Sequence, residues 1–184
     1  MATYSEILIK HSNLEEIIAM FAEHYELGER QILMENRFRY RYFSVIVLHK
    51  SSHEWIKIDI HHRRTLYDFD VIIRRITKKF QTVGMYGYKQ TTDETTRFAY
   101  FENGKVIRSI TFQYINDEMG IEPTEDYGEP FKFESYDFGK KEYFERDEHW
   151  LMGYYDDIQY WYRELGYENV LDDQFLHIEL KKQY

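Results

Sequence analysis

The residues best suited to holding a metal ion lie together on one predicted strand. Asp59 and His61 are two residues apart, so a β-strand would direct both side chains to one side and that of His62 to the other. Two ligands do not complete a zinc site, which takes at least three from the protein. The favoured alternative is a solvated strand face that continues from Lys57. We therefore expect no metal and no cofactor, and name Asp59 and His61 only as weak metal candidates.

The sequence motifs of common enzyme classes are absent from this chain. It contains no G-x-S-x-G, no G-x-x-x-x-G-K-[ST] and no G-x-G-x-x-G, and the segment from His53 to Lys57 departs from H-E-x-x-H at its last position. The absence of cysteine excludes thiolate nucleophiles, disulfides and iron–sulfur ligation. A binding protein is therefore favoured over an enzyme, and no catalytic residue is predicted.

Acidic residues beside tyrosines form the pattern that most suggests a function. Acidic side chains steer a basic partner, and tyrosines supply contact area at protein interfaces. The residues predicted to bind a partner are Glu125, Asp126, Glu129, Asp156, Asp157 and Tyr160. No EF-hand spacing is present, which argues against calcium. The alternative is that the neighbouring residues Tyr154, Tyr155 and Tyr162 are core residues at helical spacing.

The net charge of −9 is distributed unevenly along the chain. The first 92 residues carry 14 Lys and Arg against 11 Asp and Glu, whereas the last 92 carry 10 against 22. This asymmetry predicts an acidic face that attracts a basic protein and repels nucleic acid; the alternative is that the charge serves solubility. Two basic sets could contact phosphates, but we expect them to pair with acidic residues or to be solvated: Arg37, Arg39 and Arg41, and Arg74, Arg75, Lys78 and Lys79.

Length and composition indicate one folded domain spanning residues 1–184. A content of 43% hydrophobic and 31% charged residues excludes a disordered polyelectrolyte. The longest aliphatic run, Val45 to Leu48, is far shorter than the roughly 20 residues that span a membrane. The N-terminal residues show no secretory signal, and the lack of cysteine suits the cytosol. We therefore expect a cytosolic protein without membrane association.

Periodicity predicts the elements that must position these residues. Capping-box patterns at Ser12 and Thr65 begin two amphipathic helices, the first ending near Gly28, and Asp147 begins a third that ends at Gly166. Strands are predicted at residues 6–10, 36–49, 55–61, 82–89, 96–102, 105–113 and 175–180. Asn103-Gly104 predicts a type I′ hairpin. Residues 116–141 are expected to form an irregular acidic segment with one edge strand at residues 131–134. The fold class is α+β, a largely antiparallel sheet of about six to eight strands with three amphipathic helices.

One segment carries a family resemblance. The sequence R-F-A-Y-F-E-N-G-K-V-I-R from Arg97 to Arg108, followed by Gly128-Glu129-Pro130 and Glu134, resembles a pattern in small uncharacterised bacterial α+β proteins. The resemblance covers about a fifth of the chain and implies no catalytic residue. Bacterial immunity proteins are similar in size, acidity and lack of motifs.

The function expected from the sequence is that of an acidic cytosolic protein-binding module. We expect an immunity- or antitoxin-like inhibitor that occludes a basic partner protein such as a toxin. Two alternatives stay open: an enzyme or small-ligand-binding protein with a pocket of dispersed His, Tyr and carboxylate residues, and a structural subunit of a homo-oligomer.

Overall fold

The described residues form one sheet with helices on both faces. The computed structural model describes residues 3–33, 44–51, 54–62, 69–90, 95–115, 120–134, 155–168 and 171–180. The helices in these residues are α1 (Leu14–Ala22), α2 (Asp70–Phe80) and α3 (Tyr155–Glu164). The strands are β1 (Thr3–Lys10), β2 (Leu27–Leu33), β3 (Ser44–Ser51), β4 (Trp55–His62), β5 (Val83–Gln90), β6 (Thr96–Glu102), β7 (Lys105–Ile115), β8 (Gly120–Tyr127) and β9 (Leu171–Leu180).

The strands form a single sheet in the order β2-β9-β3-β4-β1-β5-β6-β7-β8. Every neighbouring pair is antiparallel, which confirms the predicted α+β class with its antiparallel sheet and three helices. The described sheet has nine strands, above the predicted six to eight. No strand was predicted at β2, which begins where the first helix was expected to end, or at β8, where loops were expected.

The predicted irregular segment, residues 116–141, contains a regular edge strand. β8 occupies Gly120–Tyr127 and pairs with β7 on one side only. Pro123, which suggested a loop, is tolerated because an edge strand has a side on which its backbone needs no donor. The edge strand predicted at residues 131–134 is wrong: these residues turn, and the Glu134 amide donates to the Phe131 carbonyl at 2.9 Å.

Strand alternation gives the sheet two different faces, each covered by its own helices. Ile7 and Ile9 of β1 belong to the core cluster beneath α1 and α2, hereafter the α1/α2 face. Leu8, between them, belongs to a second cluster with Trp161 and Tyr162 of α3, hereafter the α3 face. Because side chains alternate along a strand, charged residues at neighbouring positions also lie on opposite faces of the sheet.

The helices begin and end by local interactions. Asn13 caps α1, and its side chain accepts from the amides of Glu15 and Glu16 at 3.1 and 3.4 Å, one residue beyond the predicted capping residue Ser12. α1 ends at Ala22, earlier than predicted, because the chain enters β2 at Leu27.

The predicted caps of the other two helices, Thr65 and Asp147, lie outside the described residues. α2 begins at Asp70, and the described part of α3 spans Tyr155–Glu164. Gly166 follows α3 with φ of 89°, which fits the predicted helix end. The predicted solvated side of α2 is exposed at all four positions: Arg74, Arg75, Lys78 and Lys79. No helix within the described ranges is both long and apolar enough to cross a membrane.

The β6–β7 connection is the predicted type I′ turn. Asn103 and Gly104 have φ of 49° and 83°, and β6 pairs with β7 on either side of them.

A second glycine, Gly87 of β5, allows α3 to approach the sheet. A Cβ there would lie 2.3 Å from the Tyr162 hydroxyl and 2.6 Å from Ile158 Cγ2.

Candidate functional site

A group of three ionisable residues, Glu6, Lys57 and Asp59, lies on the α3 face near the middle of the sheet. The antiparallel register places Glu6 of β1 opposite Asp59 of β4, with Lys57 opposite Leu8. Lys57 Nζ lies 3.5 Å from Glu6 Oε2 and 3.5 Å from Asp59 Oδ1. α3 approaches these residues, since Gln159 hydrogen-bonds to the Glu6 side chain and the Tyr162 hydroxyl donates to the Glu6 carbonyl at 3.4 Å.

Burial sets the protonation of this group. The Glu6 side chain is fully buried, and this desolvation raises its pKa to about 8, even though the charge of Lys57 acts in the opposite direction. The prediction of a solvated strand face continuing from Lys57 is wrong, because the Lys57 side chain is only 8% exposed. The His61 side chain lies outside the described residues, and the structure leaves Asp59 paired with Lys57. In the described part of the chain no three His, Cys, Asp or Glu residues are placed to hold a metal ion.

Arg108 of β7 holds the loop that follows β8. Its guanidinium is 1% exposed and donates to Glu134 through Nε at 3.0 Å and through Nη2 at 2.8 Å. Nη1 donates to the Asp126 carboxylate and to the Tyr127 and Gly128 carbonyls. Burial alone would lower the Arg108 pKa, but the bonds to Glu134 and Asp126 outweigh it and raise it. We call this arrangement the Arg108 clamp.

The Arg108 clamp presents aromatic side chains beside α3. Glu134 also accepts from the Phe131 amide at 2.9 Å, which fixes the turn that carries Phe131 and Phe133. Phe133 packs edge-on against Trp161, with ring centroids 5.8 Å apart, and against Tyr160 at 6.4 Å. Tyr160 is 42% exposed. The clamp and these rings therefore join the loop to the solvent side of α3.

Two of the six predicted partner-binding residues, Asp126 and Tyr160, lie on the α3 face, and a third, Glu129, lies on the loop between the Arg108 clamp and Phe133. Tyr160 and Glu129 are exposed, and Asp126 is partly exposed while paired with Arg108. We define the acidic–aromatic surface as Asp126, Glu129, Phe133 and Tyr160. The Arg108 clamp holds Asp126 and the turn that carries Phe133, and Tyr160 packs against Phe133, so these three members are pre-organised, whereas Glu129 lies exposed on the same loop.

The other three predicted residues are placed differently. Glu125 lies on the α1/α2 face, where Ser109 and Thr111 donate to its Oε2 at 3.0 and 2.9 Å. Asp156 and Asp157 belong to α3, and their side chains lie outside the described residues. Among the predicted core tyrosines, Tyr162 is buried as expected, Tyr154 is outside the described residues, and the Tyr155 side chain is not described.

A second buried arginine organises the α1/α2 face. Arg97 of β6 forms two 2.7 Å bonds to the Asp70 carboxylate of α2, and its Nε lies 3.5 Å from Glu125 Oε2. Its guanidinium lies 5.6 Å from the centre of the Tyr86 ring. Sequence reasoning missed both buried arginines, although Arg97 and Arg108 lie on the paired strands of the β6–β7 hairpin, on either side of the Asn103-Gly104 turn. The available signal was an arginine within a few residues of several apolar and aromatic side chains on each strand: Phe98, Tyr100 and Phe101 near Arg97, and Val106, Ile107 and Ile110 near Arg108.

Arg37, Arg39 and Arg41 lie outside the described residues, so their predicted pairing stays a prediction.

Comparison with protein-family models, curated proteins and solved structures gives no match for this chain. The arrangement of the site is therefore the basis for assigning a function.

Proposed function

We propose that this chain is a protein-binding module that engages a basic partner protein through the acidic–aromatic surface. The observation that carries the proposal is the exposed Tyr160 ring standing against Phe133 of the loop that the Arg108 clamp holds. Tyrosines with a packed base and an exposed ring are frequent anchors of protein interfaces.

The rigidity of the loop supports binding. A surface loop that becomes ordered only on association costs about 0.5–1.5 kcal/mol for each immobilised side chain. Here Arg108 already binds Asp126 and Glu134, and Phe131 and Phe133 stack with ring planes 14° apart. Much of this entropy cost is thus met on folding, which favours a slowly dissociating complex.

Charge supports the choice of a basic partner. Acidic residues outnumber basic ones 22 to 10 in the last 92 residues, and Asp156 and Asp157 precede Tyr160 on the same helix. Such a field accelerates association with a basic surface, and the effect weakens with added salt. We further propose that binding is occlusive, as in an immunity- or antitoxin-like inhibitor of a basic toxin; size, acidity and the lack of enzyme motifs support this finer assignment.

Photo-crosslinking tests the surface in the native host. A photoreactive phenylalanine analogue replaces Tyr160 in one version of the protein and Val71, 49% exposed on α2, in a matched control. We expect a discrete adduct with a basic protein from position 160 that position 71 does not form. Equal labelling from both positions, or none from position 160, would exclude this surface as the interface.

Association kinetics with the captured protein test the role of charge. Glu129→Lys should slow association several-fold at low salt and reduce its salt dependence, because it reverses a charge at the interface. Glu23→Lys makes the same change at an exposed residue of the α1/α2 face and should leave the rate unaltered. Equal rates for Glu129→Lys and the unaltered protein would remove steering by this surface from the proposal.

A further inference from the structure

An open pocket of about 390 Å³ lies on the α1/α2 face, away from the acidic–aromatic surface. Its lining residues come from three elements: Arg74 of α2, Lys105 and Val106 of β7, and Glu125 and Tyr127 of β8. Small-molecule sites begin at roughly 300 Å³. The pocket is therefore large enough for a compact organic ligand.

The acidic wall of this pocket is fixed from behind. Ser109 and Thr111 both donate to Glu125 Oε2, and the same oxygen lies 3.5 Å from Arg97 Nε. Arg97 is itself held by two bonds to Asp70. The Glu125 carboxylate is thus positioned before any ligand arrives, which lowers the cost of binding.

The rim of the pocket is cationic. Arg74 is exposed, and its Nε donates to the Gly104 carbonyl at 3.1 Å, a bond that occupies one of its five N–H groups. Lys105 is exposed and forms no ion pair with the residues that the structure describes. The formal charges of Arg74 and Lys105, taken with those of Asp70, Arg97 and Glu125, give a local charge of +1. This local excess of positive charge contrasts with the −9 of the whole chain.

The remaining wall is apolar. Tyr127 is 56% exposed, far more than a tyrosine that serves the core, and Val106 is half-buried against the hydrophobic cluster of the α1/α2 face. An aromatic ring with an open face favours a flat partner, because stacked rings gain contact area at little conformational cost.

We propose that this pocket binds a small organic anion that has a flat apolar body and a hydrogen-bond donor. The anionic group pairs with Arg74 and Lys105, the flat body lies against Tyr127 and Val106, and the donor bonds to Glu125. Aromatic carboxylates and aromatic phosphate monoesters share this chemistry. The proposal is independent of the protein-binding function, since the two surfaces are on opposite faces of the sheet.

Matched probes test the ligand class on the intact chain. The anions 4-hydroxybenzoate and 4-hydroxyphenyl phosphate are compared with neutral 4-hydroxybenzyl alcohol and cationic 4-hydroxybenzylamine, following amide NMR shifts of Val106, Glu125 and Tyr127. We expect saturable shifts with at least one anion, and binding at least about tenfold weaker for the alcohol and the amine. The tighter anion identifies a carboxylate or a phosphate site. The absence of saturable shifts at these amides with both anions, or equal affinity for all four compounds, overturns the proposal.

Variants locate the binding within the pocket. The double variant Arg74→Met with Lys105→Met should weaken anion binding about tenfold or more, while the rest of its amide spectrum shows that the fold is kept. Lys79→Met removes an exposed cation of α2 that does not line the pocket, and should leave the affinity unchanged. Tyr127→Ala should weaken both the anions and the alcohol. Unchanged affinity in the double variant would show that the anion binds elsewhere and would refute the proposed site.

Discussion

The buried Glu6 carboxyl should make the stability of the fold depend on pH. Burial raises its pKa from 4.5 to about 8, against the opposing charge of Lys57. The folded protein therefore keeps a proton on Glu6 at pH values where the unfolded chain has released it. Because the folded state binds more protons, the free energy of unfolding falls as pH rises from about 4.5 to about 8. Glu6→Gln removes this titration and keeps a neutral side chain of similar shape.

The size of the effect follows from the two pKa values. A difference of one pKa unit corresponds to about 1.4 kcal/mol. At pH 6 the folded protein holds nearly a full proton on Glu6, and at pH 8 about half of one, while the unfolded chain holds almost none. The loss of stability between pH 6 and pH 8 is therefore roughly 2 kcal/mol from this group alone.

Urea unfolding at pH 6, 7 and 8, followed by tryptophan fluorescence, measures this loss. The informative quantity is the difference in unfolding free energy between Glu6→Gln and the unaltered protein at each pH, because the titrations that both proteins share cancel in this difference. We expect the unfolding free energy of Glu6→Gln, measured relative to that of the unaltered protein, to increase by roughly 2 kcal/mol from pH 6 to pH 8. Glu129→Gln is the control, because it removes an exposed acid. Its unfolding free energy relative to the unaltered protein should change by less than about 0.5 kcal/mol over the same pH range. A difference for Glu6→Gln that stays constant or shrinks would refute the assignment of a protonated, buried Glu6.

Two further predictions concern the packing of the α3 face. Gly87→Ala should lower the free energy of unfolding, measured with urea, by about 1–3 kcal/mol, because its Cβ would lie 2.3 Å from the Tyr162 hydroxyl. Adding Tyr162→Phe should recover part of that loss, and no recovery would show that the strain lies elsewhere. Arg108→Ala should open the loop after β8. Hydrogen exchange of the Phe131 amide, which donates to Glu134, should therefore accelerate at least tenfold. An unchanged exchange rate would show that the loop is held without the Arg108 clamp.

The elements that the sequence predicts well are those determined by neighbouring residues. α1 follows from its capping residues and helical spacing, and the β6–β7 hairpin follows from Asn103-Gly104, because only certain residues accept positive φ at both central positions. In contrast, β9 inserts between β2 and β3, some 120 residues away in sequence. No local pattern encodes a partner at that distance, so the strand was predicted and its place in the sheet was not.

The buried charges show the same limit at the candidate site. Lys57 alternates with isoleucines on β4, which predicts one wet face, yet α3 lies about 100 residues later and covers that side. Arg97 and Arg108 also lie among apolar residues, and their partners come from a helix 27 residues before Arg97 and a loop 26 residues after Arg108. Alternation identifies which residues share a face, but it does not show whether that face meets water or another element.

Some acidic residues of the segment after β7 therefore bond to buried arginines, and others are exposed on the surface. Glu125 is bonded within the Arg97 network, and Asp126 and Glu134 are bonded to Arg108, so the sequence overstates the charge that this segment offers to a partner. Glu129 is exposed and stands outside both networks. Substituting Asp126 would change the loop conformation and the surface charge together, whereas substituting Glu129 changes charge alone. Any loss of partner association in Glu129→Lys can thus be attributed to electrostatics, which is why the proposed function is best tested at that position.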